Sequence, residues 1–181
     1  MKDWLFFPLA TLAATAIVLF ALRMGGPQER LTPEQIRAAG YGLAGDDLID
    51  LTASPGTELV VGSGTAKLLA VQSQADAPPS AGIFLTLPSE AEAAFAGKPL
   101  RVTWRARRER GEGAVRVGYF TLGAGDSGWQ ERTLGEAWSD VTLDFTPGIS
   151  GDGFDYAGIW PVVGDPDGVP VEVESVRVTA R

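Results

Sequence analysis

Five aromatic residues in the second half of the chain have the side chains best suited to recognition chemistry: Tyr119, Trp129, Trp138, Tyr156 and Trp160. An aromatic ring stacks on the apolar face of a pyranose, and the same ring fills the core of a β-sheet, so each of these residues has two readings. Trp129 stands in the polar stretch GAGDSGWQER (Gly123–Arg132), where burial is hard to arrange, and is the leading candidate for an exposed platform. Trp138 opens a strand directly after a turn, which suits edge packing as well as binding. Tyr156 and Trp160 lie an even number of residues apart and share one strand face. A glycan platform predicts exposed, coplanar rings.

Charge supplies a second set of candidates. Arg101, Arg105 and Arg107 share one face of a strand, with Arg108 and Arg110 close behind. Such a stripe can grip an anionic sugar, a phospholipid headgroup or an acidic partner through bidentate contacts. It can equally pair with Asp140 and Asp144, or with Glu172 and Glu174, on neighbouring strands. In GDPDG (Gly164–Gly168), Asp165 and Asp167 stand one residue apart, a spacing that an oxygen-ligated calcium ion can use, although Asp, Pro and Gly favour tight turns without any metal. A structural calcium is the one cofactor the sequence raises.

Cysteine and histidine are both absent, which removes thiolate and imidazole metal sites, disulfides, Ser-His and Cys nucleophile pairs and histidine acid–base chemistry. Ser63 in VGSGT (Val61–Thr65) sits between glycines, yet neither a helix nor a histidine partner follows, as a nucleophile elbow requires. The expectation is a protein that binds and does not catalyse. The net charge of −8 argues against nucleic acid, whose binders need a basic surface to displace counterions from phosphates.

These residues need elements to hold them. Trp4–Leu22 is a run of 19 residues without a charge, long enough to cross a bilayer as a helix and without a late small-x-small cleavage site. It predicts an uncleaved, single-pass N-terminal anchor over 1–24. Arg23, Arg30 and Arg37 beyond the run lean by the charge rule toward a cytoplasmic C-terminus, while a very short N-terminal tail of this kind favours a following domain in the periplasm or outside the cell, which is the expectation taken. Residues 25–45 read as a juxtamembrane linker with one short helix, capped by Thr32 with Pro33 and Gln35 and closed by Gly40. From 46 to 181 the period changes to short alternating strands broken by Gly, Pro, Asp and Ser. Strands are expected at Asp47–Thr52, Glu58–Val61, Ala66–Gln72, Gly82–Leu87, Pro99–Arg107, Ala114–Thr121, Gln130–Leu134, Ser139–Thr146, Tyr156–Val163 and Val169–Thr179. Trp104 falls on the apolar side of its strand and is expected in the core. A change of parity in the last strand calls for a bulge at Glu174–Ser175. The fold class is all-β, a jelly-roll-type antiparallel β-sandwich preceded by one transmembrane helix.

Four passages carry a family likeness: KPLRVTWRAR (Lys98–Arg107), AVRVGYFT (Ala114–Thr121), AWSDVTLDFTP (Ala137–Pro147) and VEVESVRVTAR (Val171–Arg181). In strand order and texture this half of the chain resembles the jelly-roll sandwiches of the galactose-binding-like and carbohydrate-binding-module families. The resemblance implies the sandwich fold and a binding role, served in those families by glycan, protein or structural contacts. Two functions follow as expectations. The first is an accessory or structural subunit of a membrane-associated complex, whose anchor packs on other transmembrane helices through small residues such as Ala10 and Ala14. The second is a membrane-displayed carbohydrate-binding module for cell-envelope or extracellular glycans, with Trp129 and the other aromatics stacking on sugar.

Overall fold

Alternation between apolar and polar residues decides the architecture. The computed structural model describes residues 31–74, 80–122, 125–149, 154–161 and 168–181. The expected anchor over 4–22 lies outside them, and among the described residues no helix is long and apolar enough to cross a membrane. The strands among the described residues are β1 (Tyr41–Ala44), β2 (Thr52–Ala53), β3 (Thr57–Gly62), β4 (Thr65–Ala70), β5 (Ile83–Thr86), β6 (Leu100–Arg108), β7 (Gly113–Thr121), β8 (Gln130–Leu134), β9 (Ser139–Phe145), β10 (Asp155–Pro161) and β11 (Val171–Ala180). They form two antiparallel sheets, one in the order β3-β4-β11-β6-β9 with β1 also on β11, the other in the order β2-β5-β10-β7-β8.

The chain passes back and forth between the sheets, so their inward residues interleave into one core. Val102, Trp104 and Ala106 of β6 meet Val115, Val117 and Tyr119 of β7 in this core, all fully buried. Trp104 is therefore the core residue that its strand parity requires. β11 is the spine of the first sheet. One of its edges pairs with β6 along its length, while the other is divided between β4, at Val171–Val173, and β1, at Ser175–Val178. The expected bulge falls between Val173 and Ser175, where the change of neighbour occurs.

The N-terminal part of the domain differs from expectation in two places. Of the expected strand Asp47–Thr52 only Thr52 is paired, at the start of β2. Gly45–Asp50 winds into a 3-10 helix that buries Leu48 and leaves Ile49 outside. Gly45 takes a positive φ, and the adjacent short acids Asp46 and Asp47 favour a turn over a pleated ladder. The sheet also takes in Tyr41–Ala44, ahead of the boundary expected at 46, because Gly42 lets the backbone press against Val176: a Cβ there would stand 2.1 Å from its carbonyl oxygen.

Two short helices close one end. α1 (Pro33–Ala39) has the predicted capping box, with Gln35 N–H donating to Thr32 Oγ1 and Thr32 N–H to Gln35 Oε1. It rests on the domain through buried Ile36, through Arg37 donating to the Ala94 carbonyl and through Arg177 donating to that of Ala39. α2 (Ser89–Phe95), rich in Ala and Glu, follows Pro88 and buries Ala91, Ala94 and Phe95. Replacing Trp104 by Ala removes the largest inward side chain and leaves a cavity between the sheets. The loss of stability in urea unfolding is expected to be about 3–5 kcal/mol, and a loss below about 1 kcal/mol would place Trp104 outside the tightly packed core.

Candidate functional site

Strand parity sorts the second sheet into two faces. Ile83, Leu85, Val117, Tyr119, Ala157 and Ile159 point into the core. Phe84 on β5, Phe120 on β7 and Tyr156 on β10 belong to the opposite face and stay partly exposed. Between them Gly118 and Gly158 face each other as register partners on the two central strands. A Cβ on Gly118 would come within 2.5 Å of the Phe120 ring, and one on Gly158 within 2.2 Å of the Ala81 carbonyl oxygen. Glycine is thus required for the Phe120 ring and the Ala81 backbone to lie this close to the sheet.

Two segments wall this face. Ser54 N–H donates to the Gly82 carbonyl at 2.9 Å, and the Ser54 and Ser80 hydroxyls meet at 2.9 Å, which fixes the segment around Ala81. On the other side, the turn that carries Trp129 is stapled to β7. Ser127 N–H donates to the Tyr119 carbonyl and Tyr119 N–H to Ser127 Oγ, while Thr121 N–H donates to Asp126 Oδ1 and Thr121 Oγ1 to the Gly125 carbonyl. The polar residues around Trp129 thus satisfy the backbone of the strand end, and the indole is left half-buried on the face. Its ring packs against Phe120 at 4.8 Å between centroids and meets Trp160 edge-on at 6.3 Å. Opposite, Phe84 and Tyr156 form an edge-to-face pair at 5.0 Å.

The result is a cleft of about 580 Å³ lined by Phe84, Phe120, Trp129 and Tyr156, with Ser80, Thr121, Leu122 and Asp126 at its margins. Its size lies within the usual range for small-ligand sites. The rings are steeply inclined to one another, at interplanar angles of 58° for Phe120 with Trp129 and 81° for Phe84 with Tyr156. They do not form the coplanar platform that was expected. The walls are apolar, and hydroxyl and carboxylate groups stand at the rim.

Behind the cleft lies a buried polar group. Tyr119 Oη donates to Asp155 Oδ2 at 2.7 Å, and Asp155 N–H donates to Glu92 Oε1 at 2.9 Å. Asp155 is 3 % exposed, and its other oxygen has no hydrogen-bond partner among the described residues. Burial raises the Asp155 carboxyl above the usual carboxylate range and the charge of Asp126 raises it further, against the hydrogen bond from Tyr119. Burial likewise raises Glu92, and burial together with the bond to Asp155 pushes the Tyr119 phenol up.

Of the predicted aromatic residues, Trp129 and Tyr156 line the cleft. Trp160 shares the face with Tyr156 but is 1 % exposed and supports Trp129 from behind, so it is not a stacking surface. Tyr119 is an interior residue, packed against Phe145 and bonded to Asp155. Trp138 is not part of the cleft; the Arg107 guanidinium lies 4.9 Å from the centre of its ring. The arginine stripe is a neutralised ladder. Arg101 binds Asp144 bidentately at 2.7 and 2.9 Å, Arg105 contacts Asp140 and Glu174, and Arg107 holds Glu172. Burial works to raise the Glu172 carboxyl, but the bonds and charges of Arg107 and Lys67 hold it below the usual range. Asp165 and Asp167 lie outside the described residues, and among the described residues no acidic cluster is arranged to hold a metal. The cleft residues missed in the sequence are Phe84, Phe120 and Asp126. Parity could have found the first two, since each alternates with core residues of its strand.

No family model matches the sequence, and no curated protein matches it at a significant level. Solved structures do resemble the fold, carbohydrate-binding modules among them. The tandem CBM22-1-CBM22-2 domain from Paenibacillus barcinonensis Xyn10C superposes with a TM-score of 0.57 at 16% identity over 86% of this chain, which spans 51% of the tandem. The CBM22-1 xylan-binding domain of the same protein gives 0.51 at 10% identity over 78% of this chain and 96% of that domain. The chain therefore has a carbohydrate-binding-module-like β-sandwich fold.

The buried acid leads to a pH prediction. A carboxyl raised in the folded state binds its proton more tightly there than in the unfolded chain. Its stabilisation is complete below the unfolded value, about 3.9, and is lost as pH rises through the folded value. Asp155→Asn retains an acceptor for Tyr119 and removes the ionisation. The variant should gain stability relative to the parent as pH rises from about 4 toward 7, the carboxylates of Glu172 and Asp144 being common to both. Parallel pH profiles in chemical unfolding would show that Asp155 titrates as an ordinary carboxyl.

Proposed function

We propose that this protein is a non-catalytic glycan-binding module, and that the aromatic cleft on the outer face of the β2-β5-β10-β7-β8 sheet is where the sugar is held. The observation that carries the reading is the cleft itself, with four aromatic side chains partly exposed between two braced segments. The inclined rings favour a ligand that enters the groove and is gripped from more than one side over one that lies flat on a platform. Hydroxyl and carboxylate groups at the margin suit the equatorial hydroxyls of a sugar, which need partners once the ring faces leave water. The fold shared with xylan-binding and other carbohydrate-binding modules supports the same conclusion.

In this reading the apolar run Trp4–Leu22 is a single-pass anchor, and the sandwich is displayed in the periplasm or outside the cell, where envelope or extracellular glycans are available. The small residues Ala10 and Ala14 in that run favour a second role as an accessory subunit of a membrane complex. Co-purification in mild detergent with and without Met1–Met24 separates the two: stoichiometric partners that depend on the anchor support the accessory role.

The cleft is tested by affinity electrophoresis and calorimetry of the full chain against soluble polysaccharides. Trp129→Ala should weaken binding by about thirty-fold, roughly 2 kcal/mol. Trp138→Ala, outside the cleft, should leave it unchanged, and thermal melts of both variants check the fold. Equal affinities for the parent and Trp129→Ala would remove the cleft from recognition.

A further inference from the structure

Charge at the cleft extends the glycan reading, on which this inference rests. Among the described residues none of the groups lining the cleft is Lys or Arg, and the one charged group is Asp126. The internal segments outside the description, 75–79, 123–124, 150–153 and 162–167, contain no Lys or Arg, whereas they hold Asp76, Asp152, Asp165 and Asp167. The basic residue on the same sheet face, Arg116, is held by Gln74 at 2.7 Å and by Glu131 at 3.3 Å. The basic stripe on the other sheet is held by its own carboxylates. Among the described residues, therefore, no basic side chain is placed to offset the field of Asp126 within the groove.

Asp126 is fixed in position. Its Oδ1 accepts the Thr121 N–H at 2.8 Å, and Oδ2 has no hydrogen-bond partner among the described residues. The bond ties the carboxylate to the end of β7, one residue beyond Phe120. An acceptor held in this way takes a hydroxyl hydrogen from a sugar whose face lies on the aromatic wall. It repels a carboxylate brought to the same place, by about 1 kcal/mol at 4 Å even in bulk water and by more in a partly desolvated groove.

We infer that Asp126 makes the cleft selective for uncharged glycans, accepting a sugar hydroxyl at the rim and excluding chains that carry uronic acid or sulfate. Stacking on Trp129, Phe120 and Tyr156 supplies affinity that neutral and acidic sugars share, and the carboxylate supplies the difference between them. Specificity of this kind works by rejection and needs no added contact to the correct ligand.

The test uses the full chain in mild detergent and matched probes: cellohexaose beside its counterpart oxidised to glucuronic acid at C6, and xylohexaose beside a xylohexaose bearing glucuronic acid branches. At low ionic strength the parent is expected to bind the better neutral hexaose at least about ten-fold more tightly than its acidic counterpart. Asp126→Asn keeps the acceptor for the Thr121 N–H and removes the charge. It should bring the ratio to within about three-fold, chiefly by improving the acidic probe, and high salt should narrow the ratio of the parent in the same direction. An acidic hexaose bound as tightly as the neutral one, or a ratio unchanged in Asp126→Asn, would overturn the selectivity while leaving the cleft as a glycan site. Failure of the parent to bind any of the four probes or the soluble polysaccharides would instead overturn the glycan reading, and the selectivity with it.

Discussion

Two glycines facing each other across the central strands of one sheet set the form of the cleft. Gly118 and Gly158 are register partners, and at both positions a methyl group would collide with something that has to be there: the Phe120 ring in one case, the Ala81 carbonyl in the other. Without side chains at the middle of the sheet, an aromatic ring can lie down on the backbone and a neighbouring segment can cross it. The walls and floor of the cleft follow from that closeness. The rest of the outer face contributes support, with Trp160 beneath Trp129 and Phe84 against Tyr156.

The two sheets use their outer faces for opposite purposes. On the first, arginine and carboxylate side chains alternate across β9, β6 and β11, and the exposed pairs hold one another in register with modest effect on stability. On the second, charge gives way to aromatic surface and the middle of the sheet is open to a ligand. The polar interior behind this surface, where Tyr119 meets Asp155 and Asp155 meets Glu92, lies at the ends of the strands that carry Phe120 and Tyr156. Core residues and cleft-lining residues are therefore neighbours on β7 and β10, separated by which way each side chain points.

That separation explains what could be read from the chain. Strand parity on β6 placed Trp104 in the core and turned Arg101, Arg105 and Arg107 outward, and the parity switch in β11 located its bulge. Where one face of a strand is apolar and the other charged, the pattern is decisive. It is weaker on β7, where one face carries Tyr119 and the other Phe120, and on β10, where Tyr156 and Trp160 share one face. On β10 parity cannot separate the two rings, and the packing of Trp129 against Trp160 covers one and not the other. The polar context of Trp129 has a specific reason: Asp126 and Ser127 are occupied with the backbone of β7, and the indole is left half-buried. The 3-10 helix at Gly45–Asp50 escaped because a single buried leucine among short acids has no period to read.

The division of the β11 edge between β4 and β1 has a mechanical side. Everything attached to the N-terminus reaches the sandwich through α1 and then β1, a four-residue strand held against Ser175–Val178. A pull applied through that end acts first on this short ladder and on the contacts Arg37 and Arg177 make around α1, while β4 and β6 remain paired with β11. The cleft lies on the other sheet, whose strands share no ladder with β1. The N-terminal arm is thus the part of the fold that a load from that end meets first, and the cleft lies outside its path.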